Sequence, residues 1–224
     1  MRHLLLVIGV LVALAANPAA AWFEGFDYPN GPLAGNDGWY GNGTGIDVVN
    51  QVVRIGLGGT AFKATVDIPV ISGNIIVCTL QAYPQIASGG NIWAAWFNDA
   101  SGKNYARWYG YANTARPRIG GYGLVLNPVT LVEDQWNTLE VVIDQTSQTS
   151  TFYHNGVKLG SLNYSITGAA GGIGQVQLEN FGRTDLPDDS ILIDNISIVP
   201  EPSSLISLSV FGAGLLGYLR RRRT

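Results

Sequence analysis

Between residues 22 and 199 the chain consists of short runs of alternating or β-branched residues, and helical periodicity is nearly absent. Gly, Asn, Asp and Pro separate these runs, as expected for turns. About eleven runs are candidate strands, which predicts an all-β domain built as a two-sheet antiparallel sandwich. The absence of an internal repeat argues against a propeller or solenoid. The candidates are Asp47–Ile55, Thr60–Val66, Asn74–Ala82, Asn91–Asn98, Lys103–Tyr111, Tyr122–Leu126, Trp136–Asp144, Thr149–His154, Val157–Leu162, Gly172–Asn180 and Ser190–Val199.

The two ends of the chain differ from this pattern. Arg2 precedes the apolar stretch Leu4–Ala16, and the small residues Ala19 and Ala21 mark a cleavage site. These features predict a secretory signal peptide over residues 1–21, and therefore export of the chain.

The C-terminal segment 200–224 has three parts. A helix over Leu205–Leu219 would be about 22 Å long, somewhat short of the ~20 residues of a comfortable membrane span. The terminal arginines suit a cytoplasmic anchor better than a buried core helix, which is the alternative. The flanking residues are Pro200, Glu201 and Pro202 before the helix and Arg220, Arg221, Arg222 and Arg223 after it.

In this order the tail resembles the PEP-CTERM sorting signal of Gram-negative bacteria. The resemblance implies transient anchoring in the inner membrane and cleavage near the Pro-Glu-Pro triplet by an exosortase, a membrane cysteine protease. It further implies a final location at the cell surface or outside the cell, in a host that makes extracellular polysaccharide or biofilm matrix. It implies no particular activity.

Charge and cysteine content limit what the domain over residues 22–199 can do. Five of the 13 Lys and Arg residues and one of the 16 Asp and Glu residues lie outside it, which leaves a net charge of −7. Such a balance excludes a typical nucleic-acid binder. Cys78 is the single cysteine, so no intramolecular disulfide forms, and its β-branched surroundings predict a buried thiol.

Several local motifs of the domain recur in one superfamily. Asn155-Gly156 predicts a type I′ hairpin turn after the strand that ends at His154. The preceding tryptophan strand, Trp136–Asp144, alternates apolar and polar residues. With the opening Glu24–Pro29 and the closing Ile193–Ile196, these motifs resemble the concanavalin A-like, laminin G-like jelly rolls over residues 23–199.

Catalytic signatures are sparse. His154 is the only histidine left after signal removal, and its place beside a turn does not favour a catalytic triad. Glycosidases of the resembled superfamily carry a Glu-x-Asp-x-Glu strand, which this sequence lacks. Glu133-Asp134 and the group Asp185, Asp188 and Asp189 do not have strand-face spacing. We therefore expect no enzyme, and the alternatives are a divergent glycoside hydrolase or polysaccharide lyase and a self-associating structural adhesin.

A structural calcium ion is a further expectation, because calcium takes six to eight oxygen ligands from carboxylates and carbonyls. Glu24 and Asp27 near the start would meet Asp194 and Asn195 near the end, since first and last strands often adjoin in jelly rolls. The alternative is that these residues cap turns.

A cluster of aromatic residues on two neighbouring candidate strands indicates a carbohydrate ligand. Alternation predicts that Tyr105, Arg107, Tyr109 and Tyr111 share one strand face, whose rings and guanidinium would bind carbohydrate. Core packing is the alternative. On the preceding strand Trp93 and Trp96 point in opposite directions, so we expect one of them in the core. Arg116 and Arg118 would border the site or be solvated. The carbohydrate-binding candidates are Trp93, Trp96, Tyr105, Arg107, Tyr109 and Tyr111.

Overall fold

The computed structural model describes residues 21–42, 45–56, 61–85, 92–111, 113–120, 123–181 and 190–201. These residues belong, up to Pro200, to one compact unit. No helix within these ranges is long and apolar enough to cross a membrane. Residues 1–20 of the predicted signal peptide, including Ala19, and the tail from Pro202 to Arg223 lie outside the described residues.

Two antiparallel sheets form a sandwich, which confirms the predicted fold class. Along the first sheet the strands are β14 (Val157–Asn163), β13 (Thr149–His154), β12 (Asn137–Asp144), β7 (Ile75–Gln85), β16 (Ser190–Pro200), β5 (Val52–Gly56), β4 (Ile46–Val49) and β2 (Gly31–Pro32), and β1 (Trp22–Glu24) also pairs with β16. Along the second sheet they are β11 (Val129–Thr130), β10 (Thr114–Arg118), β9 (Asn104–Tyr111), β8 (Ile92–Asn98), β15 (Ile173–Asn180), β6 (Phe62–Ile71) and β3 (Tyr40–Asn42). A 3-10 helix, Ser165–Thr167, precedes β15.

The hydrophobic core lies between the two sheets. Trp108 of β9 meets Phe152 of β13 edge to face, with ring centres 5.3 Å apart, so aromatic packing joins the sheets. In β12 Leu139, Val141 and Ile143 are buried and alternate with partly exposed, mostly polar residues, as the sequence predicts. Cys78 is fully buried, as expected for a structural thiol.

The predicted strand Asp47–Ile55 is a hairpin of two strands, β4 and β5. Its turn residues Asn50 and Gln51 have φ angles of 53° and 64°. Asparagine tolerates this left-handed conformation, whereas glutamine rarely adopts it. Without a glycine at the turn, the sequence pattern gave no signal that the strand reverses.

The predicted strand Tyr122–Leu126 is also wrong in its described part, where Val125 forms only an isolated bridge with Arg118. The strand that pairs with β9 on the side opposite β8 is β10, which contains Pro117. Proline disfavours strand assignment because it lacks an N–H donor. Here its carbonyl still accepts a hydrogen bond from the Leu126 N–H at 3.1 Å.

Candidate functional site

The second sheet has an inner face on the core and an outer face on its other side. Because Trp108 points to the core, its neighbours Arg107 and Tyr109 lie on the outer face. Cross-strand partners share a face. The strand register pairs Arg107 with both Trp96 and Arg118. It also pairs Tyr109 with Arg116, so side chains from β8, β9 and β10 meet here.

Guanidinium groups and rings alternate in this outer-face cluster. The Cζ of Arg107 lies 4.1 Å from the centre of the Trp96 ring and 5.4 Å from that of Tyr109. Arg118 approaches the Tyr109 ring to 5.2 Å. Phe181 meets the same ring edge to face at 5.6 Å between centroids. Cation–π and aromatic contacts therefore hold the Tyr109 ring in place.

Charge in the cluster is partly buried. Arg107 is only 3% exposed. Burial above all, and then the charge of Arg118, lower the pKa of Arg107 to about 10, whereas nearby Glu179 acts in the opposite direction. Arg107 thus stays cationic at neutral pH. Burial also raises the pKa of Glu179, whose carboxylate accepts a hydrogen bond from Gln177 at 3.1 Å.

A surface cavity of about 370 Å³ lies at the β9–β10 end of this face. Its lining includes Tyr109, Tyr111, Thr114, Arg116, Arg118 and Val125. The Tyr111 ring is 42% exposed. Gly110 is required where β9 meets β10, because a Cβ at this position would overlap the carbonyl oxygen of Thr114. Strands β9 and β10 therefore present two rings and two guanidiniums to one cavity.

Two predicted carbohydrate-binding residues are buried in the core. Trp93 is fully buried, as expected for one of the two tryptophans of β8, and its Nε1 donates to the Tyr111 carbonyl at 2.9 Å. The prediction that Tyr105 shares the outer face is wrong. The β8–β9 register shifts next to Asn98, and this bulge turns Tyr105 inward. There its hydroxyl accepts the Gly172 N–H at 3.0 Å.

Of the other four predicted ligand residues, three are at least partly accessible, whereas Arg107 lies on the outer face but is buried. Trp96 and Tyr109 are half-buried and Tyr111 is exposed, all on the outer face. Sequence reasoning missed Glu179, Thr114 and Val125. Of these, only Glu179 could have been placed on the outer face from the sequence, because it follows Gln175 and Gln177 at every second position of one strand.

Carboxylates on the outer face of β6 and β15 are widely spaced. Asp67 pairs with Gln175, and Lys63 pairs with Glu179. Asp67 is thus four positions from the partner of Glu179, or about 13 Å along the strand. Asp67 accepts hydrogen bonds from Tyr40 and Gln175.

The four predicted calcium ligands do lie near one another, because β1 pairs with the end of β16 and places Glu24 opposite Ile196. Burial first, and then the charges of Asp27 and Glu24, raise the pKa of Asp194. The Glu24 carboxylate already accepts three hydrogen bonds, and Asp194 accepts two from Asn195. The described residues contain no group of three or more His, Cys, Asp or Glu side chains placed to hold a metal ion. The carboxylates of Glu24 and Asp194 are thus engaged in hydrogen bonds within the protein, and calcium binding by these residues stays a prediction.

Comparison with known families identifies the tail. Residues 199–223 match the model of the PEP-CTERM protein-sorting motif. The motif implies export, a membrane-anchored sorting signal at the C-terminus and processing by an exosortase. Comparison with curated proteins finds no match.

Solved structures resemble the sandwich. A sialidase matches with a TM-score of 0.60 and 13% identity over 83% of this chain, which corresponds to 19% of the sialidase chain. The carbohydrate recognition domain of Emp47p matches at 0.56 and 8% over 83% of this chain and 98% of that domain. A structure from work on endo-acting O-glycanases of the human gut microbiota, which initiate mucin breakdown, matches at 0.55 and 11% over 81% and 99%. At such identities the likeness shows the fold alone.

Proposed function

We propose that this protein is a polysaccharide-binding protein of the cell surface or extracellular matrix, sorted there by an exosortase, and that it carries no catalytic activity. The observation that supports binding is the cavity bordered by Tyr109 and Tyr111. Sugars present apolar C–H faces that pack on aromatic rings and hydroxyl groups that accept hydrogen bonds from guanidinium groups. The cavity offers both kinds of contact side by side.

Rigidity of the site supports the same proposal. Tyr109 is held between guanidiniums and Phe181, and the backbone of Tyr111 is fixed at its carbonyl by Trp93 and at its N–H by Thr114. A pre-ordered site loses little conformational entropy when a ligand binds. Several solved structures with a similar fold are carbohydrate recognition domains or glycan-active proteins by description, which agrees with this choice of ligand.

Among the described residues, the spacing of the carboxylates on the outer face of β6 and β15 supports the non-catalytic part of the proposal. Glycoside hydrolysis commonly uses two carboxyl groups about 5–10 Å apart. Asp67 and Glu179 exceed that separation, and Asp67 is engaged by Tyr40 and Gln175. The ring of His154 hydrogen-bonds to the side chain of Asn137 at 3.0 Å.

Binding is tested with the full chain purified in a mild detergent. A panel of neutral and charged polysaccharides is examined by affinity electrophoresis, and bound polymers are then measured by titration calorimetry. We expect at least one polymer to bind and Tyr111→Ala to weaken its binding by about tenfold, because an exposed stacking ring is lost.

Trp136→Ala is the matched control. Trp136 is 43% exposed, close to the value for Tyr111, but it contacts Tyr83 of the first sheet. Retained affinity in this variant supports the assigned location. If folded protein binds no member of the panel, or if both variants lose affinity equally, the proposed site is wrong. Release of reducing ends from a bound polymer would contradict the non-catalytic assignment.

A further inference from the structure

Positive charge is concentrated at the cavity although the domain as a whole is acidic. The segment 22–199 carries only eight basic residues against fifteen acidic ones, since the other five basic residues and one acidic residue lie in the two ends. Three of those eight, Arg107, Arg116 and Arg118, lie on the outer face of two adjacent strands. Glu179 offsets part of the charge of Arg107.

The close approach of like-charged arginine side chains on β9 and β10 is electrostatically unfavourable. Arg107 and Arg118 are direct cross-strand partners, and like charges in that position repel. The charge of Arg118 indeed lowers the pKa of Arg107. An anion bound beside them would relieve this repulsion, which is the usual reason for clustered guanidiniums at a recognition site.

The two arginines of β10 line the same cavity. Arg116 and Arg118 are two residues apart on the same face, about 7 Å along the strand, and both line the cavity. The ion pair of Arg54 with Asp47, at 3.7 Å, lies in the first sheet and not at the cavity. The buried Nε of Arg118 makes no hydrogen bond to any described residue. The described lining of the cavity includes no carboxylate.

We propose that the cavity selects an acidic polysaccharide, with Arg116 and Arg118 binding the carboxylate of a uronic acid unit while Tyr111 packs on the sugar ring. This inference rests on the proposed function and narrows its ligand class. Arginine suits the role because its planar fork donates two parallel hydrogen bonds to one carboxylate. The seven net negative charges of the domain repel the polymer elsewhere and so favour this end of the sheet.

The test compares polygalacturonate with its fully methyl-esterified form, because esterification removes the carboxylate charge and leaves the sugar backbone unchanged. Dextran sulfate and dextran form a second pair that separates carboxylate recognition from general anion binding. The full chain, Arg116→Gln, Arg118→Gln and the control Lys158→Gln are titrated in 0.1 M salt. Lys158 is an exposed residue of β14 in the first sheet, so its substitution removes the same charge away from the cavity.

We expect polygalacturonate to bind at least tenfold more tightly than its ester, and each arginine variant to lose roughly tenfold, the factor carried by one charge-assisted hydrogen bond. Lys158→Gln should change affinity less than about twofold. Thermal denaturation of each variant establishes that it is folded, and Arg116→Gln serves if the contact of Arg118 with Tyr109 proves necessary for folding.

Four results would overturn the inference. Equal binding of polygalacturonate and its ester would leave the proposed function standing but exclude carboxylate selection. Equal losses in Lys158→Gln and the arginine variants would indicate diffuse charge rather than this cavity. A preference for dextran sulfate over polygalacturonate would assign the site to sulfate groups instead. If no polymer of either pair or of the wider panel binds, the proposed function fails together with the inference.

Discussion

Asn137 is expected to be among the most sensitive polar residues of the fold, because it is fully buried and joins three segments. Its amide oxygen accepts the Val132 N–H at 2.9 Å and lies 3.0 Å from the His154 Nε2. Its amide group donates to the carbonyls of Gln135 at 2.9 Å, Val132 at 3.0 Å and Ala82 at 3.4 Å.

The cost of Asn137→Ala follows from these bonds. Four of them are 3.0 Å or shorter, and each contributes about 1 kcal/mol net. Two amide hydrogens serve three carbonyls, so we reduce the sum to about 3 kcal/mol. For a domain of this size that is a fall in Tm of roughly 6–12 °C. Urea denaturation followed by tryptophan fluorescence measures the change in unfolding free energy.

Two further variants make the test specific. Asn137→Asp keeps the shape and an accepting oxygen but loses the amide hydrogens and buries a charge, so at neutral pH it should destabilise at least as much as alanine. Asn30→Ala removes a single exposed hydrogen bond, to the Asn50 N–H at 2.8 Å, and should cost no more than about 1 kcal/mol. If Asn137→Ala costs no more than Asn30→Ala, the assigned network does not stabilise the fold.

Three other outcomes are expected. Burial raises the pKa of the Cys78 thiol, so an aromatic disulfide reagent should leave this thiol unmodified in the native protein and modify it fully in urea. Fast modification without denaturant would contradict the burial of Cys78. For Asp99, burial alone would raise the pKa, but hydrogen bonds from Ser101, Lys103 and Ala170 outweigh it and hold the pKa below its ordinary value. The stabilisation by the Asp99 carboxylate is therefore complete above the ordinary carboxyl pKa and is lost as the pH falls through the lowered pKa. The difference in unfolding free energy between the unmodified protein and Asp99→Asn should thus shrink on acidification. A difference that does not depend on pH would refute this prediction. Calcium binding stays a prediction. A rise in Tm when calcium is added to chelator-treated protein, with no such rise in Asp194→Asn, would support calcium binding. An unchanged Tm would contradict it.

The sequence predicted the fold class because strand periodicity is a local property. Leu139, Val141 and Ile143 alternate with mostly polar residues in the sequence and are buried in the structure as that pattern requires. The hairpin turn at Asn155-Gly156 was likewise predicted from two adjacent residues. The sorting tail was read in the same way, since the order of triplet, apolar stretch and arginines lies in 25 consecutive residues.

The composition of the candidate site could be predicted only in part. Alternation correctly placed Arg107, Tyr109 and Tyr111 on one face of β9. It failed at Tyr105 because one extra residue in the β8–β9 ladder reverses which face the chain presents. No residue type at the bulge distinguishes it in the sequence.

The sequence by itself thus identified the sorting tail of this protein and the class of its fold, because both depend on patterns of neighbouring residues. Only the tertiary structure decided that Trp96, Arg107, Arg118 and Glu179 share one region of one sheet. These residues come from four strands, and their meeting depends on strand order and register. Register is fixed cooperatively by packing of the whole core, which no short stretch of sequence contains.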